Sequence, residues 1–408
     1  MKQLLGIFSF ILIILCFNAC DSDDIPAENL RSEPAELGEK IEAFGLDLYN
    51  KTYHSSDKDN ICTSPLSVFT ALAMVYNGSI GKTKDDIAHT LYTNDISLDS
   101  MNSGFQLLKD QLIPADNKVT FESVNGSFWD ESRIELSEDF LDDINYAFDA
   151  KTQKLDFNKE QESLEIINGW VADKTHDKIK QLLKTIKGSD VLFLINALYF
   201  QGDWNNPFDP DWTYDEVFTR SDGLTVSVPF MHHDSYFNYY KGADYAAVEL
   251  PFGESAYSMT FLVPTNTTSF GNFIDDLSPV MLHDLYDNKL KEDRILLKLP
   301  KFELAFEIEL KEVLSLLGMG IAFSEFQADF SKLGNAFGQN LFIDRVIHKT
   351  KLILDETGVE GAAATAVGVG VTSVPPSVDF DRPFVYILRQ QSTNTPLFIG
   401  HVGDPSKE

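Results

Sequence analysis

Residues 355–376 read Asp-Glu-Thr-Gly-Val-Glu-Gly-Ala-Ala-Ala-Thr-Ala-Val-Gly-Val-Gly-Val-Thr-Ser-Val-Pro-Pro, and the fold turns on how this stretch is read. At the two-residue period of a strand, one face carries Val359, Gly361, Ala363, Thr365, Val367, Val369 and Val371. The other carries Glu360, Ala362, Ala364, Ala366, Gly368, Gly370 and Thr372. The first face suits a core, the second solvent or a light cover. No proline interrupts the ladder before Pro375 and Pro376, where strand pairing has to stop. Small side chains and the glycines between Gly358 and Gly370 nevertheless give weak intrinsic strand stability. The segment suits a mobile loop as well as a strand, and its alanines alone are compatible with a plain Ala/Gly linker.

The rest of the chain supplies a sheet for such a strand to join. Arg345 to Leu354 reads as a strand that leads without a turn into Asp355. Val191 to Phe200 is apolar on both faces, which predicts a central strand covered above and below; Asn196 inside it needs a hydrogen-bond partner. Tyr245 to Pro251, Met259 to Pro264 and Ile295 to Ile308 read as strands of further sheets. Helical spacing appears in Ile41, Phe44 and Leu48, and again over residues 164–183 through Leu164, Ile167 and Val171. Ser64-Pro65 offers a serine cap and a proline in the first turn, followed by a stripe of Leu66, Phe69, Ala73 and Tyr76 that stops at Gly78. Thr83 reads as the cap of another helix.

The interior of the 408 residues contains no repeat, charge block or Pro/Ser/Gly-rich linker, so one large domain over residues 39–408 is expected. Lys2, the apolar run Leu4 to Phe17 and Asn18-Ala19-Cys20 read as a signal peptide over residues 1–19. Cys20 after Ala19 resembles the lipobox of bacterial lipoproteins, although Phe17 and Asn18 depart from its usual residues. An exported outer-membrane lipoprotein on the periplasmic or cell-surface face is the reading that follows, with residues 20–38 as an acidic, polar tether. Once Cys16 is removed and Cys20 acylated, only Cys62 remains, so the core holds the fold without a disulfide. The formal charge of −30 makes nucleic acid and anionic lipid poor partners and leaves the lipid anchor as the only expected membrane contact.

The motifs of familiar enzymes are missing: there is no Gly-x-Ser-x-Gly, no His-Glu-x-x-His and no Cys-x-x-Cys. His232-His233 are adjacent, and on a strand they point to opposite faces, so no metal site and no cofactor are expected. A hydrolase with an unrecognised serine is the reading from another class, tested by turnover of ester or peptide substrates.

Glu356, Gly358, Glu360 and Ala362-Ala363-Ala364-Thr365 resemble the proximal hinge of the reactive-centre loop of inhibitory serpins, within a loop of about 356–376. Phe380, Pro383-Phe384-Val385-Tyr386 and Pro396-Leu397-Phe398-Ile399-Gly400 are similar to the carboxy-terminal serpin signature, and Ser64-Pro65-Leu66-Ser67 to another segment of the family. The resemblance runs over roughly residues 39–405. It implies an α+β serpin fold of three β-sheets, about eight or nine helices and an exposed loop, in a monomeric protein that is no enzyme. It also implies a suicide-type inhibitor cleaved at Thr372-Ser373, since seventeen residues from Glu356 to Thr372 match the family's spacing. Thr372 suits elastase-like serine proteases first, with other serine or papain-like cysteine proteases as further candidates. Val359 and Gly361 stand in the hinge where the family usually has Thr or Ser and Ala. Ser64, Ser67, Asn196 and His348 match the shutter, the polar group beneath the main sheet. Trp204, Lys301 and Glu356 match the breach, where insertion starts. The alternative within the family is a non-inhibitory binding or carrier protein, against which the small-residue hinge argues.

Overall fold

The computed structural model describes residues 29–265, 268–359 and 375–407. Three sheets and nine α-helices are present among them, as the resemblance implied. The sheet that matters for function has six strands in the order Phe302–Glu309, Ile347–Leu354, Gly358–Val359, Leu192–Asp203, Val119–Asp130 and Lys151–Leu155. All its pairings are antiparallel except the parallel contact of Val119–Asp130 with Lys151–Leu155.

A nine-stranded sheet is built around Phe384–Gln390 and Pro396–Val402, whose residues are all buried and form the centre of the core. Aromatic packing is dense there: Phe261, Phe302, Phe380 and Phe384 meet with ring centroids between 5.3 and 6.1 Å apart. The helix Pro65–Asn77 lies between the two large sheets. Ser64 caps it through its hydroxyl, Pro65 fills the first turn where no donor is needed, and the Leu66, Phe69, Ala73 and Tyr76 stripe is buried. Cys62, just before it, is free and wholly buried, and burial pushes its thiol up to about 11.

Several expectations are corrected. The first helix runs Asn29–Ser55, so residues 29–38 are folded chain rather than tether; Leu37 and Gly38 are buried, and a side chain at Gly38 would strike the Thr393 carbonyl. The helix expected over 164–183 is Glu160–Lys174. It stops because His176 and Asp177 take left-handed backbone angles, and Ile179, Leu182 and Leu183 then pack from irregular chain, which mimics helical spacing. Thr83 lies inside the helix Gly81–Thr90, where its hydroxyl accepts from the Asp329 amide instead of capping. The strand Leu192–Asp203 is covered on one face but only half-covered on the other at Leu194, Asn196 and Leu198.

Candidate functional site at a gap in the main sheet

The strand Ile347–Leu354 ends in a tight turn at Asp355, so the expected straight run into the hinge is wrong. The Asp355 carboxylate accepts from the Thr357 amide at 2.9 Å, the Thr357 hydroxyl at 2.6 Å and the Gly358 amide at 3.4 Å. This is the local chemistry by which Asp outcompetes continued strand pairing. The turn brings Val359 back beside Leu354, while Gly358 and Val359 pair on their other side with Asp203 and Gly202. Gly358 has φ +153°, and a Cβ there would stand 2.1 Å from the Gly202 carbonyl oxygen, so only glycine fits.

Trp204, Lys301 and Glu356 converge at this end of the gap. Lys301 Nζ lies 2.6 Å from Glu356 Oε2. Burial pushes the Glu356 carboxyl up, but hydrogen bonding, chiefly from Lys301 and then from its own backbone, outweighs it and holds the group below its ordinary value. The Trp204 indole stacks on Phe252 with centroids 4.3 Å apart, and its Nε1 donates to the Asp355 carbonyl at 3.1 Å. Backbone bonds from Trp204 to Thr357 and from Phe208 to Glu356 fix the turn from above.

Beyond Val359 no described strand lies between the two neighbours. Among the described residues, Ile347–Leu354 and Leu192–Asp203 are linked only through the two-residue strand, and no pairing joins them directly. The space between them is part of a cavity of about 290 Å³, floored by Ser64, Ser67 and Val68 and covered by Ile179, Leu182 and Leu183.

Ser64, Ser67, Asn196 and His348 all line this cavity. The Ser64 amide donates to His348 Nε2 at 3.0 Å, and the Ser64 hydroxyl accepts from the Ser67 amide at 3.4 Å. Burial alone lowers His348 to about 4, so the ring is neutral at physiological pH with Nε2 as acceptor. Asn196 Nδ2 donates to Ser123 Oγ at 3.0 Å and to Asn125 Oδ1 at 2.9 Å, but its Oδ1 is buried without a partner. Ser123, Asn125 and Thr350, whose hydroxyl donates to the Cys62 carbonyl, are polar members that sequence reasoning missed. Their signal was polar residues in the middle of strands.

Hinge residues Glu360, Gly361, Ala362, Ala363, Ala364 and Thr365, the bond Thr372-Ser373 and the amino-terminal Cys20 lie outside the described residues. On the carboxy side the chain re-enters as Ser377–Asp379, pairing in parallel with Lys291–Pro300. Among the described residues no group of three or more His, Cys, Asp or Glu side chains is arranged to hold a metal. His232 and His233 face opposite ways, the first stacked on Tyr214 and the second bonded to the Pro207 carbonyl.

A family model described as Serpin (serine protease inhibitor) matches residues 39–405. Alpha-1-antiproteinase 2 of Equus caballus is 30% identical over 380 residues, covering 92% of this chain and 89% of that protein. Leukocyte elastase inhibitor of Xenopus laevis is 30% identical over 373 residues, covering 89% and 97%. The native-state structure of the thermophilic serpin tengpin superposes with a TM-score of 0.83 at 29% identity, covering 96% of each chain; its latent state gives 0.77 at 30% identity, covering 90% and 97%.

Proposed function

This chain belongs to the serpin family, a family of protease inhibitors rather than enzymes, and from that premise we propose that it traps serine proteases by cleavage at Thr372-Ser373. The observation that carries the reading is the gap itself. Gly358 and Val359 already form two rungs between strands that are otherwise unpaired to each other, and a cavity continues from them along the sheet. A strand entering there would gain backbone hydrogen bonds on both sides, each worth roughly 1 kcal/mol net.

The chemistry belongs to the target. Its serine Oγ attacks the Thr372 carbonyl carbon, the bond to the Ser373 nitrogen breaks, and the released amine takes the proton from the protease histidine. The acyl-enzyme ester remains on Thr372. Insertion of the freed segment at roughly 3.3 Å per residue carries the tethered protease roughly 50 Å along the sheet before water can cleave the ester. Thr372 fits a shallow apolar pocket, so elastase-like enzymes are the first targets. Export as a Cys20-lipidated protein of bacterial type completes the reading, and Cys20→Ser should move the protein from membrane to soluble fractions.

The deciding experiment mixes the protein with an elastase-like protease. A denaturant-resistant complex together with a released fragment beginning at Ser373 supports the reading. Rapid cleavage without a complex favours the carrier alternative.

A further inference from the structure

The segment between Lys174 and Leu192 crosses the gap as a strap, and its ties are uneven. Toward the far side its described ties include the following. Lys184 meets Glu307 at 2.7 Å, Lys187 meets Asp344 at 2.7 Å, Lys349 donates to the Gln181 carbonyl at 2.9 Å, and Arg345 donates to the Thr185 carbonyl at 2.8 Å. The lysine contacts are largely exposed, and such ties contribute little. Arg345 differs. The same Nη2 lies 2.5 Å from Asp190 Oδ2, with the two side chains only 13% and 4% exposed, and its guanidinium sits over the Phe193 ring. Asp190 stands two residues before the near strand of the gap and Arg345 two before the far one, so this buried pair bridges the foot of the opening.

We propose that Arg345–Asp190 is a latch that holds the foot of the gap closed and sets how fast a strand can complete its insertion. The inference rests on the inhibitory reading above. Further contacts hold Asp190 in place: its Oδ2 accepts from the Lys187 amide at 2.7 Å, and its carbonyl accepts from Arg133 Nη1 at 2.9 Å. Arg345 is the member that can leave, since its Nε is buried with no partner and its remaining bonds all cross the gap. Parting the foot requires that side chain to release the strap carbonyl and the carboxylate together. Arg345 and Asp190 are thus positioning residues for the trapping reaction, acting on the sheet and not on the scissile bond.

The test uses the full-length protein and a synthetic peptide with the sequence of residues 359–372, whose uptake into the sheet is followed by the gain in thermal stability. Arg345→Met and Asp190→Asn should each speed uptake about tenfold, the factor that ~1.4 kcal/mol of barrier provides. The double variant should be no faster than either single one, because one interaction is being removed. Lys184→Ala, which cuts an exposed tie, should stay within about twofold. With a cleaving protease, the latch variants should also trap a larger fraction before hydrolysis. Uptake in both single variants no faster than in wild type, including no uptake by any form, overturns the latch. Faster uptake with no protease trapped by any form keeps the latch and removes the inhibitory reading instead.

Discussion

Acidification should weaken this protein through His348, which is buried neutral, over a window that opens at pH 6.5. His348 is wholly buried, accepts from the Ser64 amide through Nε2 and titrates near 4 instead of 6.5. A histidine whose folded value is depressed contributes stability that is fully present above 6.5 and is lost as pH falls toward 4, because the unfolded chain takes the proton first. Over that window the unfolded state binds more protons, so stability falls with falling pH; between pH 7 and 5 the linkage amounts to about 2 kcal/mol. His401, also buried, also near 4 and 3.1 Å from the Tyr49 hydroxyl, contributes a similar amount. Denaturant unfolding of wild type and His348→Gln at pH 7 and pH 5 separates the terms, since carboxylate effects are common to both proteins. The variant should be weaker at pH 7, where the imidazole acceptor is replaced by a less well placed amide, yet lose about 2 kcal/mol less on going to pH 5. An identical pH dependence in the two proteins would refute the assignment.

Glu42 should behave in the opposite sense: burial raises it to about 7 despite His283 at 2.8 Å, so its cost grows from pH 4.5 to 7, and Glu42→Gln should stabilise by about 3 kcal/mol at pH 8 but only about 1 kcal/mol at pH 5, read by denaturant unfolding. Gly358→Ala should lower stability by about 1–3 kcal/mol through the forced backbone angle and the clash with Gly202, and an unchanged melting temperature would contradict the geometry. Lys301→Met should cost about 2 kcal/mol in a denaturant midpoint, between the worth of an exposed pair and that of a buried one, because it leaves the Glu356 carboxylate unpaired.

What the chain revealed in advance depended on how local the signal was. The alternation of Val359 with Gly361 and Ala363, the Ser64-Pro65 cap and the apolar run around Phe193 are local, and they led to the gap and the helix under it. The turn at Asp355 was also written locally, in Asp-x-Thr-Gly, but the strand pattern on either side hid it. Ser64 and His348 are far apart in sequence, and only the family resemblance joined them; no periodicity predicts a bond from an amide to a ring nitrogen across that distance. Ser123 and Asn125 were missed because a polar residue in a strand reads as solvent-facing unless its partner on the next strand is known, here Asn196, which stands opposite Asn125 and bonds to both. The strap was misread because Ile179, Leu182 and Leu183 keep a helix-like spacing while packing from irregular chain.

The two rungs at Gly358 and Val359 also set the register that an inserting strand would follow. Gly358 stands opposite Asp203, and Val359 stands opposite both Gly202 and Leu354. If the proposed insertion keeps this register, one residue per step down both strands would bring Thr365 opposite Asn196 on one side and His348 on the other. A one-residue slip would turn the alanine face where the valine face belongs. In the proposed insertion the hinge would therefore set the register as well as start the strand. The Thr365 hydroxyl, rather than an alanine methyl, would then arrive beside the amide oxygen of Asn196, which lacks a donor among the described residues.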